Sequence, residues 1–406
     1  MNVDTMRAID RWVGIPLCFL LTLVGRLAGR RSDRPGPARP TRVLFIELSE
    51  MGSTILADPA MRKARDHFEA ELFFVIFQRN AASLDFLGTV APANIFTIRA
   101  DSLVSLATDT LAFLAWTRRR GIDTVIDLEL FSRFTALLTG LCGAANRVGF
   151  HRFHNEGLYR GALLTHRVAY NPHIHIAKNF VALVNALASR APELPYSKTV
   201  IGDAELVLTR PTLPAAAVAA MRHRVAQLVP ELGGHRIVLL NPNASELLPQ
   251  RRWPHGHFAA LATAILERWP DVVILLTGAP EEAAEAEQLR ARVDHPRLVN
   301  FAGRQQLNEL PALYAQAALM VTNDSGPGHF AAITTMPTIV LFGPETPALY
   351  GPLGNTRSLT AGLACSPCVS AANHRKTACR DPVCMRAIAP ETVLAAVAEV
   401  LDGPGP

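Results

Sequence analysis

The residues of this 406-residue chain best suited to chemistry gather in the run Thr322-Asn-Asp-Ser-Gly-Pro-Gly-His329, between the apolar runs Leu319 to Thr322 and Thr338 to Phe342. Short apolar runs with β-branched residues, bounded by turn formers, predict strands covered on both faces. Ligands of such sheets bind at the carboxyl ends of the strands, where Asn323, Asp324, Ser325, Gly326, Gly328 and His329 would stand. Gly326 and Gly328 admit close approach of the backbone, and the N–H groups opening a helix suit a phosphate or diphosphate. The plainer reading is a strand-to-helix turn capped by Asn or Asp. Two further strand ends could share a nucleotide. One carries Ser245 and then Arg251-Arg-Trp-Pro254, where a guanidinium ahead of a helix could pair with phosphate oxygens in bidentate fashion. The other carries Glu281 and Glu282, either of which could accept from ribose hydroxyls or favour a helix amino terminus.

Carboxylates able to act as a general base lie in the Glu47 to Glu50 turn and at Asp58, Asp127 and Glu129, although a carboxylate at a strand end is as readily a helix cap. Arg118 to Arg120 and the set Arg147, His151, Arg152, His154 and Arg160 are basic clusters that suit either a solvated face or an anionic acceptor. Cys365, Cys368, Cys379 and Cys384 follow the spacing C-x2-C-x10-C-x4-C, with His374 between them. A structural zinc, an iron-sulfur centre, and unligated thiols or disulfides are the readings open for this tentative site. Cys18 and Cys142 are isolated and structural.

Elements that could position these groups follow a regular alternation. Strands are expected over 42–48, 71–77, 95–98 and 124–128, with helices over 54–67, 103–118 and 131–141. A second series has strands over 237–240, 272–276, 319–322 and 338–342 and helices over 256–268 and 281–293. Alternation of this kind predicts parallel pairing and doubly wound sheets. The length and a proline-rich connector over 192–214 divide the chain into two such halves facing each other across a cleft. The expected boundaries are a leader over 1–40, an amino-terminal domain over 41–205, a carboxyl-terminal domain over 206–385 with the cysteine-rich loop 365–384, and a terminal helix in 386–406.

Composition is globular, with 49% hydrophobic and 18% charged residues. Eight arginines against three aspartates in residues 1–42 account for the whole formal net charge of +5. The remaining body is formally neutral, which argues against a nucleic-acid-binding protein. The leader also holds the apolar run Trp12 to Val24, shorter than the ~20 residues that span a bilayer. It predicts a segment in the membrane interface with arginines on anionic headgroups, or a helix packed on the protein itself.

Together, Thr322 to His329, Leu341-Phe-Gly-Pro344, Tyr350-Gly-Pro352, Arg251-Arg-Trp-Pro254 and Val43 to Met61 closely resemble the signature of glycosyltransferase family 9, the heptosyltransferases of lipopolysaccharide core assembly. The resemblance covers roughly residues 41 to 400. It implies a GT-B fold, two Rossmann-like domains, and inverting transfer of a sugar, most readily heptose from an ADP-linked donor, with no cofactor required for the chemistry. The acceptor would be a lipopolysaccharide core or another lipid-linked glycan at the cytoplasmic face of the bacterial inner membrane. Carried over by position, Arg251 would face the donor diphosphate, Ser245, Ser325 and Gly326 would contact phosphate, and one of Glu281 and Glu282 would lie near the ribose. Asp324 and His329 would lie near the transferred sugar. The terminal helix would pack back on the first domain, as is common in GT-B folds. The chain departs from the family in its amino-terminal turn, where Gly52-Ser53 replaces the usual Gly-Asp that supplies the base. Glu50, Ser53 and Asp58 are therefore the candidates on the acceptor side. A nucleotide-sugar epimerase or hydrolase, and a nucleotide-sugar-binding protein without turnover, are the alternatives.

Overall fold

The computed structural model describes residues 3–27, 39–153, 157–189, 198–229, 234–371, 373 and 376–403; Arg30, Arg31, residues 34–38, His154, residues 192–197 and His374 lie outside them. The chain divides into two compact units, Met1–Val207 and Leu208–Pro406. Unit 1 holds β1 (Arg42–Ile46), β2 (Glu71–Phe77), β3 (Ile95–Ile98), β4 (Thr124–Asp127), β5 (Asn146–Phe150) and β6 (His166–Val168), in the spatial order β3-β2-β1-β4-β5-β6. Unit 2 holds β7 (Arg236–Asn241), β8 (Val272–Leu276), β9 (Leu298–Asn300), β10 (Ala317–Asn323), β11 (Thr338–Phe342) and β12 (Thr356–Thr360), in the order β12-β11-β10-β7-β8-β9. All neighbours pair parallel. Both orders are those of a doubly wound nucleotide-binding sheet, whose winding reverses between its first and fourth strands. That places one switch point between β1 and β4 and another between β7 and β10. The registers end these pairs together, Ile46 opposite Asp127 and Thr322 opposite Asn241, so the loops that follow emerge side by side.

Most strands that the apolar runs identify are covered on both faces, such as Val272–Leu276, which is buried throughout; the edge strand Ile95–Ile98 is the exception. Sequence reading misses the short edge strands β6, β9 and β12, where partial exposure admits polar residues, and the internal β5, whose Asn, Arg and Gly break the apolar run although the strand is mostly buried. It also misses the helices Ile176–Ala188 and Ala215–Leu228. The helix expected over 54–67 starts earlier and is broken: Met51–Leu56 and Asp58–Phe68 flank Ala57, with Pro59 in the first turn of the second piece. Gly52 and Ser53 therefore belong to a helical first turn.

The terminal helix Pro390–Leu401 belongs to unit 2. Val393, Ala396, Val397 and Leu401 join the core formed by Trp253, the His255–Arg268 helix and the central strands. Arg236 Nη1 donates to Leu401 O at 2.6 Å and Trp269 Nε1 to Asp402 Oδ1 at 2.6 Å. This helix completes the apolar layer of its own sheet.

In the leader, Val3–Trp12 and Gly14–Leu27 form a nearly continuous helical run. The helical run Asp4–Leu27 is 24 residues long and holds a stretch of mean hydropathy 1.5, enough by length and composition to cross a membrane, although its uninterrupted apolar run, Trp12 to Val24, is shorter. One face docks on unit 1 through residues spaced by four. Asp10 Oδ1 accepts from Arg133 N at 2.8 Å and Phe134 N at 2.9 Å, capping the Arg133–Leu141 helix from outside, and Asp10 Oδ2 lies 3.2 Å from Arg133 Nη1. Gly14 lies so close that a Cβ would meet Arg133 Cβ at 2.7 Å. Cys18 is fully buried, and Thr22 Oγ1 accepts from Ala162 N at 2.9 Å. The other face leaves Trp12, Phe19, Leu20, Leu23, Val24 and Leu27 exposed.

Candidate functional site

At the unit 2 switch point the β10 turn is built around Asn323, whose side chain is fully buried. Its Nδ2 donates to Pro242 O at 2.8 Å and Asn243 O at 3.3 Å, and its Oδ1 accepts from Trp253 N at 3.0 Å. Both amide protons are used, so Asn323 is a bracket joining three loops, and its expected role as a ligand contact is corrected. Trp253 anchors the same junction, with no exposed surface and with Nε1 donating to Ile388 O at 2.8 Å. Arg251 precedes it by two residues. Its Nη1 lies 3.5 Å from Asp324 Oδ2, and its buried Nε has no hydrogen-bond partner among the described residues. A guanidinium held beside one carboxylate with a donor to spare suits an incoming anion.

Ser325 is the N-cap of the Gly326–Ala331 helix, but its hydroxyl donates to Asn323 O at 3.1 Å. This helix begins at Gly326, ahead of the start after Gly328 that the motif suggests. Gly328 N donates to Ser325 O at 3.2 Å, and a Cβ at Gly328 would meet Pro352 Cγ at 3.2 Å and Val340 Cγ2 at 3.4 Å. Gly328 therefore also serves packing, against Val340 of β11 and Pro352. His329 is buried in the same helix. In the loop after β7, Ser245 Oγ accepts from Leu247 N at 3.2 Å. After β8, Glu282 Oε2 accepts from Ala279 N at 2.7 Å and caps the turn, while burial pushes its carboxyl up. Glu281 is exposed beside it. Thus Arg251 and Asp324 meet directly, and Asn323 ties their loops together.

The unit 1 switch point repeats this construction with different residues. From the end of β4, Glu129 Oε1 accepts from Leu48 N and Ser49 N, both at 3.0 Å, and from Ser49 Oγ at 2.7 Å. This clamp holds the loop after β1. Enclosure raises the Glu129 carboxyl above the usual range against the lowering effect of those donors, and the Asp127 and Glu50 carboxylates add to the rise. Ser53 Oγ donates to Glu50 Oε2 at 3.1 Å. Asp58 stands apart: fully buried, it accepts from Arg62 Nε at 3.0 Å and Thr89 Oγ1 at 2.5 Å. Both oxygens are engaged inside the fold, which removes Asp58 as an acceptor-side base. Arg160 is buried against Asp127 and donates to Thr135 Oγ1 at 3.1 Å, so it is not part of a basic acceptor face. Burial, with Arg167 and Arg160 nearby, lowers His151 to about 4, leaving it neutral at pH 7. Arg118 donates to Leu114 O and Leu141 O at 2.7 and 2.8 Å, using its charge on helix ends. In sequence Glu129 is one of several carboxylates, and only its position just past the end of β4 marks it.

The four cysteines of the loop 365–384 are free thiols. Cys368 Sγ lies 3.4 Å from Thr377 Oγ1 and Cys379 Sγ 3.2 Å from Asp381 O, while Cys384 is raised by burial with the other three thiols in electrostatic reach. Among the described residues no group of three or more His, Cys, Asp or Glu side chains is arranged to hold a metal ion.

The model of "Glycosyltransferase family 9 (heptosyltransferase)" matches residues 117–379. Lipooligosaccharide heptosyltransferase 2 of Haemophilus influenzae is 31% identical over 179 residues, 43% of this chain and 51% of that protein, so the chain spans about half the length of the curated relative it matches. Among solved structures, Escherichia coli ADP-heptose lipopolysaccharide heptosyltransferase II superposes with a TM-score of 0.67 at 18% identity, covering 89% of this chain and 98% of that one. The E. coli heptosyltransferase WaaC solved with ADP-2-deoxy-2-fluoro heptose gives 0.57 at 18% identity, covering 88% and 99%. These likenesses establish the GT-B class for the two Rossmann-like units. With the family model matching well over half of its length, the chain belongs to glycosyltransferase family 9.

Proposed function

We propose that the protein is an inverting glycosyltransferase that moves a heptose from ADP-heptose onto a lipopolysaccharide-core or related lipid-linked glycan acceptor, at the cytoplasmic face of the inner membrane. The observation that carries this is the unit 2 switch point, where Arg251 stands beside Asp324 with a buried donor unused. The ADP-heptose named for similar proteins supplies the matching anion. In the proposed step the acceptor hydroxyl oxygen bonds to the anomeric carbon and the bond from that carbon to the distal phosphate oxygen breaks. ADP leaves with the electron pair, and the hydroxyl proton passes to Glu50. Arg251 stabilises the charge that develops on the diphosphate. Glu50 is the acceptor-side base because Asp58 is locked and Ser53, lacking useful basicity, orients Glu50 instead. Ser245, Ser325, Gly326, His329 and one of Glu281 and Glu282 complete the donor pocket.

The exposed apolar face of the leader supports contact with the membrane interface, while its docked face argues against spanning. The deciding experiment incubates ADP-heptose with and without a heptose-deficient lipopolysaccharide acceptor. Acceptor-dependent release of ADP supports the proposal, with Arg251→Ala lowering turnover by about 10²–10³ while the far-ultraviolet spectrum is kept. Epimer or free sugar from donor alone would make the protein an epimerase or hydrolase. Tight donor binding without transfer to any acceptor would make it a binding protein, the reading that Ser53 favours.

A further inference from the structure

On unit 1 a second exposed apolar stripe accompanies the leader. The helix Leu103–Arg120 packs Phe113 into the core with β1, β2 and the Arg133–Leu141 helix, yet leaves Leu103, Val104 and Leu111 at 56%, 73% and 69% exposure. Val104, Ala107 and Leu111 recur at i, i+3 and i+7, one face of a helix, and the same helix ends in Arg118, Arg119 and Arg120. A soluble surface does not require such a stripe: apolar side chains scattered singly are ordinary, but a helix face carrying three together is a contact surface.

Its position relates it to the leader. The core beneath Leu103–Arg120 is built from Leu44, Phe73, Val75, Val125 and Leu138, and Met6 of the leader packs against that same cluster together with Leu106 and Leu114. The leader rests on Arg133–Leu141, the next helix of this layer. The helices Asp58–Phe68 and Ile176–Ala188 pack on each other in a separate pair. The two exposed apolar surfaces therefore belong to one helical layer of unit 1, and both carry arginine at their borders, Arg7, Arg11 and Arg26 on one and Arg119 on the other, where Arg118 and Arg120 turn onto backbone carbonyls instead. Apolar side chains bordered by guanidinium groups complement an anionic bilayer surface.

We propose that the membrane-binding surface extends beyond the leader across the Leu103–Arg120 helix, so that an anionic phospholipid bilayer is bound by both elements at once. This rests on the membrane reading given above. The leader alone is an amphipathic helix of the ordinary interfacial kind; adding the second stripe fixes which layer of unit 1 meets lipid.

The test uses the full chain in sedimentation with vesicles of phosphatidylethanolamine and phosphatidylglycerol. Wild type is expected to sediment with them, and Val104→Ser/Leu111→Ser to lower partitioning by about tenfold, from the loss of two apolar contacts. The conservative Val104→Ile/Leu111→Met variant should bind as wild type does, and all three proteins should share a melting temperature within a few degrees. Full binding by the serine variant, with loss only in Phe19→Ser/Leu20→Ser/Leu23→Ser, would overturn the proposal and leave the leader reading intact. No sedimentation of wild type would overturn both. A concentration-dependent dimer abolished by the serine variant, without vesicle binding, would show the stripe to be an interface between copies and would also overturn it.

Discussion

At the scale of single residues, the acceptor side depends on which carboxylate is available. Glu50→Gln is expected to lower turnover by about 10²–10⁴, the range for removing a general base. Asp58→Asn should leave turnover within a few-fold while lowering thermal stability, because its contacts with Arg62 and Thr89 are internal. Steady-state rates beside melting curves separate the two; equal turnover in Glu50→Gln and wild type would reject Glu50. Glu129 adds a pH dependence. Its carboxyl is raised in the folded chain, so the native state holds this proton more tightly than the unfolded one. The resulting stability is present below the ordinary glutamate range near 4.5 and is lost as pH rises through the raised value. Glu129→Gln keeps an acceptor for Leu48 and Ser49 but removes the titration, so its melting temperature should vary less with pH across that window. Residue identity alone reveals little of this. Arg251 stands out in sequence beside Trp-Pro, and Asp324 sits where the turn suggests. Asn323 looks like a ligand contact and is a bracket, because its partners Trp253 and Pro242 lie 70 and 81 residues away and no local pattern announces them.

At the scale of elements, the two switch points share a joint in which one side chain from the end of the fourth strand crosses to the loop after the first. Asn323 serves β10 and β7, and Glu129 serves β4 and β1. Asn323→Ala would leave the buried Trp253 N–H and two carbonyls without their partner, costing at least ~2 kcal/mol. Loosening the loop that carries Arg251 should also raise the ADP dissociation constant, measurable by calorimetry. Stability unchanged in that variant would show that the bracket is redundant. Legibility at this scale follows burial. Strands covered on both faces are mostly apolar and can be read, β5 with its Asn, Arg and Gly excepted, while β6, β9 and β12 tolerate polar residues at the sheet edge. The glycines that read as turn formers, Gly52 and Gly328, both sit inside short helices. Gly328 is explained by its contact with Pro352 and Val340, a packing demand invisible without the fold.

At the scale of the whole molecule, the positive charge of residues 1–42 and the exposed apolar side chains of the leader coincide, while the body is formally neutral. Composition made that concentration of charge legible. It could not show that Asp10, Gly14, Cys18 and Thr22 turn one face of the leader into a docked structural layer. Removing residues 1–40 would consequently strip a helix cap and uncover core, which is why surface substitutions test membrane contact more cleanly than truncation.

The terminal helix has a practical consequence. Because Pro390–Leu401 closes the core around Trp253, residues 208–406 contain every strand of their sheet and the helix that seals it. Such a fragment is expected to melt as one cooperative transition when expressed alone and to bind ADP, with heteronuclear resonances of Arg251 and Gly326 shifting on titration. A fragment that stays unfolded would show that the first unit is needed for the second to fold. If it behaves as expected, the donor half becomes a detachable cassette, open to grafting beside other acceptor-binding halves and to ligand screening at a size suited to solution spectroscopy.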